Sequence, residues 1–206
     1  MNNKLLAKKY AITAHFYDLL DYPWERQYKK WRPELLSNLT GKVLELGSGT
    51  GRNFAYYRPE TDVTAVELSP AMMRRSTHRA QKAKASIYLL NTDATNMPEL
   101  QDNQFDWLIS TFMCCVMPDD LQPQAIQEFS RVLKPGGKFK LLEMVYSKDP
   151  KIRRKQERFA PWIQKVYGAR FDRNTLGYIQ ENLNLTITQT RFLKQDTYLF
   201  IEGIKK

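Results

Sequence analysis

The sequence of 206 residues predicts an α/β protein built on a mainly parallel sheet. Three observations carry that expectation. Short β-branched or apolar runs alternate with helical patterns through the middle of the chain, the signature of successive βαβ units. A glycine-rich turn follows the first of these runs. Two further runs with strand alternation close the chain only a few residues apart, which suits an antiparallel pair at a sheet edge.

Strands are expected over 42–46, 62–67, 87–90, 107–112 and 138–145, with the closing pair over 185–190 and 197–204. Helical patterns fall over 54–57, 70–83 and 122–133. Ser69 reads as an N-cap with Pro70 at the first helical position. Lys134-Pro135-Gly136-Gly137 ends a helix and turns the chain into the next strand. The first 40 residues read as an amphipathic helical arm interrupted before Pro23 and Pro33. Residues 149–168 read as a helix broken at Pro161. One domain over 1–206 is expected: an arm over 1–40, a core over 41–147, a basic aromatic helical segment over 148–173 and closing strands over 174–206.

Composition narrows the chemistry. No apolar run approaches the roughly 20 residues that span a bilayer, and the start lacks the apolar core of a secretory signal. The two cysteines, Cys114 and Cys115, are adjacent in an apolar stretch, so no disulfide framework is expected and a cytoplasmic setting fits. His15 and His78 are isolated, and no Cys/His group has metal-binding spacing, so no metal site is expected. The net charge of +10 is uneven. Residues 41–147 carry 12 basic and 12 acidic side chains, whereas 148–173 carry nine and three. The attraction for a polyanion is therefore concentrated outside the central core.

The run Val43-Leu44-Glu45-Leu46-Gly47-Ser48-Gly49-Thr50-Gly51 is a strand entering a glycine-rich turn, with a helical start near Arg52-Asn53. Its spacing is Gly-x-Gly-x-Gly, not the Gly-x-Gly-x-x-Gly of dinucleotide sites, and there is no Gly-Lys-Ser/Thr to cradle phosphates. Glu45 before the glycines suits a ligand bearing an ammonium group. Glu67 closes the second strand, where an acid can take two ribose hydroxyls. Asp93 lies just past the third strand, where it can accept from an exocyclic amine. An acidic turn before 107–112 and the run Arg131-Val132-Leu133-Lys134-Pro135-Gly136-Gly137 complete the series.

These five elements, in order over 43–145, resemble the class I S-adenosyl-L-methionine (SAM)-dependent methyltransferases. The resemblance implies a Rossmann-like, doubly wound seven-stranded sheet whose last strand is inserted antiparallel. It implies SAM as cofactor and S-adenosyl-L-homocysteine as product. Gly47, Ser48, Gly49 and Gly51 would line the methionine part and Glu67 the ribose. Asp93 and Ala94 would meet the adenine, with Leu68 and Met72 on its faces. Asn53 and Thr111 are added to this cofactor set. Within the family the chain is similar to the branch of ubiquinone/menaquinone C-methyltransferases, bacterial phosphatidylethanolamine N-methyltransferases and membrane thiol methyltransferases. Tyr10 and Tyr17, in an arm similar to theirs, would fold over the cofactor, although both also fit the core face of an amphipathic helix.

Methyl transfer is an in-line displacement that needs alignment more than a covalent nucleophile. An amine acceptor needs a proton sink, for which Glu143, Tyr17 and Tyr146 are the candidates; Glu143 also fits a paired structural acid. The leading expectation for the acceptor is phosphatidylethanolamine, N-methylated toward phosphatidylcholine by a peripheral membrane protein. The alternative is a quinone precursor or a hydrophobic thiol. Basic residues interleaved with aromatics over 148–173, together with 1–20, suit an anionic membrane surface, while a charge run also suits a solvated face. Nucleic-acid methylation and a SAM-binding scaffold rank lower, because large aromatics interrupt the cations and the cofactor motifs are complete.

Overall fold

A computed structural model describes residues 22–206. Tyr10, Tyr17 and the expected membrane contact over 1–20 lie outside the described residues. The elements, in order, are α1 (Tyr22–Leu36), β1 (Gly41–Leu46), a 3-10 turn (Phe54–Tyr56), β2 (Thr61–Val66), α2 (Pro70–Lys82), β3 (Ser86–Leu90) and β4 (Phe105–Thr111). A second 3-10 turn (Asp119–Leu121) leads to α3 (Gln122–Val132), β5 (Leu133–Met144), α4 (Pro150–Tyr167), α5 (Thr175–Glu181), β6 (Leu185–Leu193) and β7 (Tyr198–Lys205).

The seven strands form one sheet in the order β3-β2-β1-β4-β5-β7-β6. Strands β1 to β5 pair in parallel, while β7 runs antiparallel to both β5 and β6. This is the Rossmann-like sheet with an antiparallel last strand that the resemblance implied. Strand period sorts the core into two layers. Leu44, Leu46, Leu108, Leu141 and Ile201 face α3, whose Ala125, Ile126 and Phe129 are buried against them. Val43, Val63, Ile109, Leu142 and Phe200 face the opposite layer, with Tyr28, Leu35 and Leu36 of α1. The strand order reverses between β1 and β4, where doubly wound sheets open a crevice at their carboxyl ends.

The N-terminus of α2 is as expected, with Ser69 Oγ accepting from Met72 N at 3.4 Å. Other boundaries differ. Helix α1, described from Tyr22, runs through Pro33, and α4 runs unbroken through Pro161. Pro23 lies near the start of α1, where a missing N–H costs little. Pro33 and Pro161 are exposed, as are Lys29 and Glu157, whose carbonyls lose their helical donors. Water can satisfy those carbonyls, so the packed face holds each helix together. Strand β5 begins at Leu133, which pairs with Phe105 across a register shift. Helix α5 adds to the expected elements; Asn174 at its N-cap is of a preferred type but makes no side-chain capping bond. Tertiary contacts hold it instead: Ile179 is buried in the core, and Thr175 Oγ1 donates to Gln122 Oε1 at 2.7 Å.

Candidate functional site

A cleft of about 160 Å³ opens over the carboxyl ends of the central strands. One half lies over β1, β2 and β3. It is lined by Gly47, Ser48, Gly49, Asn53, Glu67, Leu68, Met72, Asp93 and Ala94. The other half lies over β4 and β5. Thr111, Phe112, Met113, Val116, Met117 and Met144 form its floor, and Trp24 and Tyr28 of α1 and Ile163 and Tyr167 of α4 form its walls.

The glycine loop is tied to β2, since Ser48 N donates to Val66 O at 3.0 Å. Two of its glycines have separate reasons. At Gly49, φ is +57° and a Cβ would meet nothing nearer than Gly47 O at 4.0 Å, so its bare face looks onto open space. At Gly51, φ is +78° and a Cβ would strike the Phe54 ring at 2.5 Å. Gly51 therefore packs the loop and does not line the cleft. A Gly51→Ala change combines backbone strain with overpacking, and a loss of about 2–3 kcal/mol in urea unfolding is expected. An unchanged midpoint would contradict this packing.

Glu67 is the carboxylate around which this half is organised. Gly49 N donates to Oε2 at 2.9 Å and Ser69 N to Oε1 at 2.8 Å. Burial raises its pKa, and backbone donors from Ser69, Gly49 and Leu68 oppose that rise. Each oxygen keeps a lone pair for a ligand hydroxyl. Asp93 Oδ1 accepts from Thr95 N at 3.0 Å and Thr95 Oγ1 at 2.8 Å, which fixes the turn below Ala94. Ser48 Oγ is buried without a hydrogen-bond partner. A buried hydroxyl left unpaired is costly unless a ligand supplies its partner. Open space at Gly49, the lone pairs of Glu67 and the orphaned Ser48 hydroxyl together fit a cofactor with hydroxyl and amine groups.

Glu45 lies one layer back from the cleft, contrary to the expectation that it meets a ligand ammonium. Strand alternation puts it on the Val43 side, under α1. There Tyr57 Oη donates to Oε2 at 2.7 Å and Asn53 Nδ2 to Oε1 at 2.9 Å. Asn53 carries that order to the cleft: Arg32 Nε donates to its Oδ1 at 2.7 Å, and its Nδ2 also donates to Thr111 Oγ1 at 3.2 Å. Glu25 bridges Arg32 and Arg52, pairing with Arg52 at 2.7 Å. Both cations line the cleft beside the glycine loop.

Neither described candidate for the proton sink lines the cleft. Glu143, only 3 % exposed, receives Cys114 N at 3.0 Å on Oε1 and Cys115 N at 2.8 Å on Oε2. It pins the turn after β4, because both oxygens point at backbone. Tyr146 lies on Phe171 at 5.3 Å between centroids, with Arg153 4.9 Å over its ring. Burial, with Asp172 and Glu157, raises its pKa, so the phenol stays protonated at neutral pH. Burial likewise holds the Cys114 and Cys115 thiols well above their ordinary value, so both stay protonated. Phe112 sits between the halves at φ +61°, rare for a bulky residue. Its N–H donates to Leu142 O at 2.8 Å, and its ring packs 4.6 Å from Tyr28. That strain is held by its surroundings and presents the ring to the cleft.

Burial pushes Glu45 and Glu143 up to about 7 from 4.5. Each binds its proton more tightly folded than unfolded. That stabilisation is complete below about pH 4.5 and is lost as pH climbs through about 7. At most it amounts to about 3 kcal/mol for each group. The urea midpoint is therefore expected to be higher at pH 5.5 than at pH 8; a flat or rising profile would contradict these two environments.

Of the acceptor-side aromatics, Tyr167 was legible from the aromatic segment 148–173, whereas Trp24 and Tyr28 were missed from sequence. Trp24, Tyr28 and Arg32 carry the one usable signal, a spacing of four on α1. Phe112, Met113 and Met144 sit in apolar runs indistinguishable from core.

Residues 43–137 match the family described as Methyltransferase domain. The thiol S-methyltransferase TMT1B of Rattus norvegicus is 34% identical over 97 residues, 46% of this chain and 39% of that protein. The ubiquinone/menaquinone biosynthesis C-methyltransferase UbiE of Syntrophotalea carbinolica is 33% identical over 130 residues, 59% of this chain and 53% of that protein. The matched stretches thus span about half or less of those relatives' lengths. Among solved structures, geranyl diphosphate C-methyltransferase from Streptomyces coelicolor, in complex with S-adenosyl-L-homocysteine, superposes with a TM-score of 0.69. It is 14% identical, with 88% of this chain and 82% of that chain covered.

Proposed function

We propose that the chain, a class I SAM-dependent methyltransferase, methylates a small hydrophobic acceptor through a soft nucleophile that needs no base from the cleft, a thiol or a quinol ring. The observation that carries the choice of acceptor is the lining of the β4–β5 half. Among the described residues it is aromatic, aliphatic and sulfur-bearing, and no carboxylate lines it.

SAM, when bound, supplies a methyl group on a cationic sulfur. The β1–β3 half would hold it: Glu67 would take the ribose hydroxyls, Leu68 and Met72 would flank the adenine, and Asp93 would meet its amine end. Ser48 and the open face of Gly49 line the methionine part, where Arg32 and Arg52 complement a carboxylate. Phe112 and Tyr28, whose rings line the cleft between the halves, would suit a cationic sulfur and help exclude water. An ethanolamine amine arrives as an ammonium and must shed a proton, yet Glu143 and Tyr146 are engaged elsewhere. A thiol ionises near 8.5 and brings its own nucleophilic form at neutral pH. The phosphatidylethanolamine reading keeps one support, the basic and aromatic surface of α4 beside the cleft.

The test is transfer of a labelled methyl group from SAM to an aryl or alkyl thiol, a quinol, and phosphatidylethanolamine in mixed micelles. Label in the thiol or quinol, with the thiol rate rising with pH as it ionises, is the expected result. Label in phosphatidylethanolamine alone would overturn the choice of acceptor.

A further inference from the structure

We propose that the flank of α4 bearing Phe159 and Trp162 docks on an anionic lipid bilayer and holds the cleft mouth at the membrane; the proposal rests on the hydrophobic acceptor argued above. Lys151, Lys155, Arg158, Trp162 and Lys165 recur at intervals of four and three, which places them on one stripe of the helix. Phe159 borders that stripe. The four cations are exposed and form no ion pair among the described residues. The helix has one acid, Glu157, and it pairs with Arg153 on the opposite flank at 3.0 Å.

The aromatics decide between polyanions. Phe159 is 61% exposed and Trp162 46%, a cost in water that is recovered when rings enter the interfacial layer of a bilayer. A nucleic-acid duplex rewards the cations alone. The same helix also walls the cleft, since Ile163 and Tyr167 line its β4–β5 half. Trp162 meets the Tyr167 ring edge-on at 5.8 Å. A ring at the proposed interface therefore touches the wall of the acceptor chamber, and an acceptor dissolved in the bilayer has a short path inward.

The experiment is co-sedimentation of the full chain with vesicles of phosphatidylcholine alone and of phosphatidylcholine mixed with phosphatidylglycerol. The expected result is binding to the mixed vesicles only. Lys155→Glu with Arg158→Glu, and separately Phe159→Ser, are expected to weaken binding by roughly tenfold. Both variants should keep transfer to a water-soluble thiol while the KM for a vesicle-embedded acceptor rises. Absence of vesicle binding, variants that bind like wild type, or stronger binding to tRNA than to the mixed vesicles would overturn the proposal. Failure of transfer to every acceptor would count against the methyl transfer itself, which vesicle binding does not measure.

Discussion

Replacing Glu67 with glutamine is expected to weaken SAM binding on the order of a hundredfold, the loss of charge-assisted hydrogen bonds in a buried site. Glu67 is 8% exposed and already receives Gly49 N and Ser69 N, one on each oxygen. In the proposed complex the remaining lone pairs take the ribose hydroxyls. Glutamine keeps the volume but turns an NH2 toward one of those donors, so the loop loses order as well as the ligand its acceptor. Calorimetric titration with SAM measures the affinity, and urea unfolding separates the loop's share. A folded Glu67→Gln chain that binds SAM as wild type does would contradict the role given to this carboxylate.

Glu143→Ala should instead strike stability. Removal of the side chain leaves the Cys114 and Cys115 amides unpaired and opens a void under the turn after β4. A loss of about 2–5 kcal/mol in urea unfolding is expected. Acceptor turnover should fall with it, because Phe112, Met113 and Val116 are held by the same turn. Glu143→Gln keeps one acceptor and should lose less on both measures. Abolished turnover in Glu143→Gln at wild-type stability would mean that Glu143 handles a proton in the reaction.

The difference between these carboxylates shows what was legible in the sequence. The glycine loop, Glu67, Asp93 and the Ser69-Pro70 helix start are local features, each set by a strand end or a turn, and the structure brings Gly47, Ser48, Gly49, Glu67 and Asp93 to one crevice. Glu45 and Glu143 also stand at strand ends. Strand alternation with Val43 sets Glu45 behind the cleft, where Asn53 and Tyr57, 8 and 12 residues on, engage it, whereas Glu143 is held by Cys114 and Cys115, 29 and 28 residues back. Tyr146 is taken by Phe171 and Arg153 in the same way. The continuity of α1 and α4 through Pro33 and Pro161 is likewise a tertiary outcome, since each proline lies on an exposed face while the buried face holds the helix. The seventh strand was legible as one of a closing pair, and its place between β5 and β6 came from the family resemblance alone.

The most direct measurement is equilibrium binding of SAM, S-adenosyl-L-homocysteine and NAD to the purified chain. Saturable binding of the first two at one shared site, with no binding of NAD, is the predicted result. A folded chain that binds neither SAM nor S-adenosyl-L-homocysteine, or that prefers NAD, would contradict the assignment of this cleft.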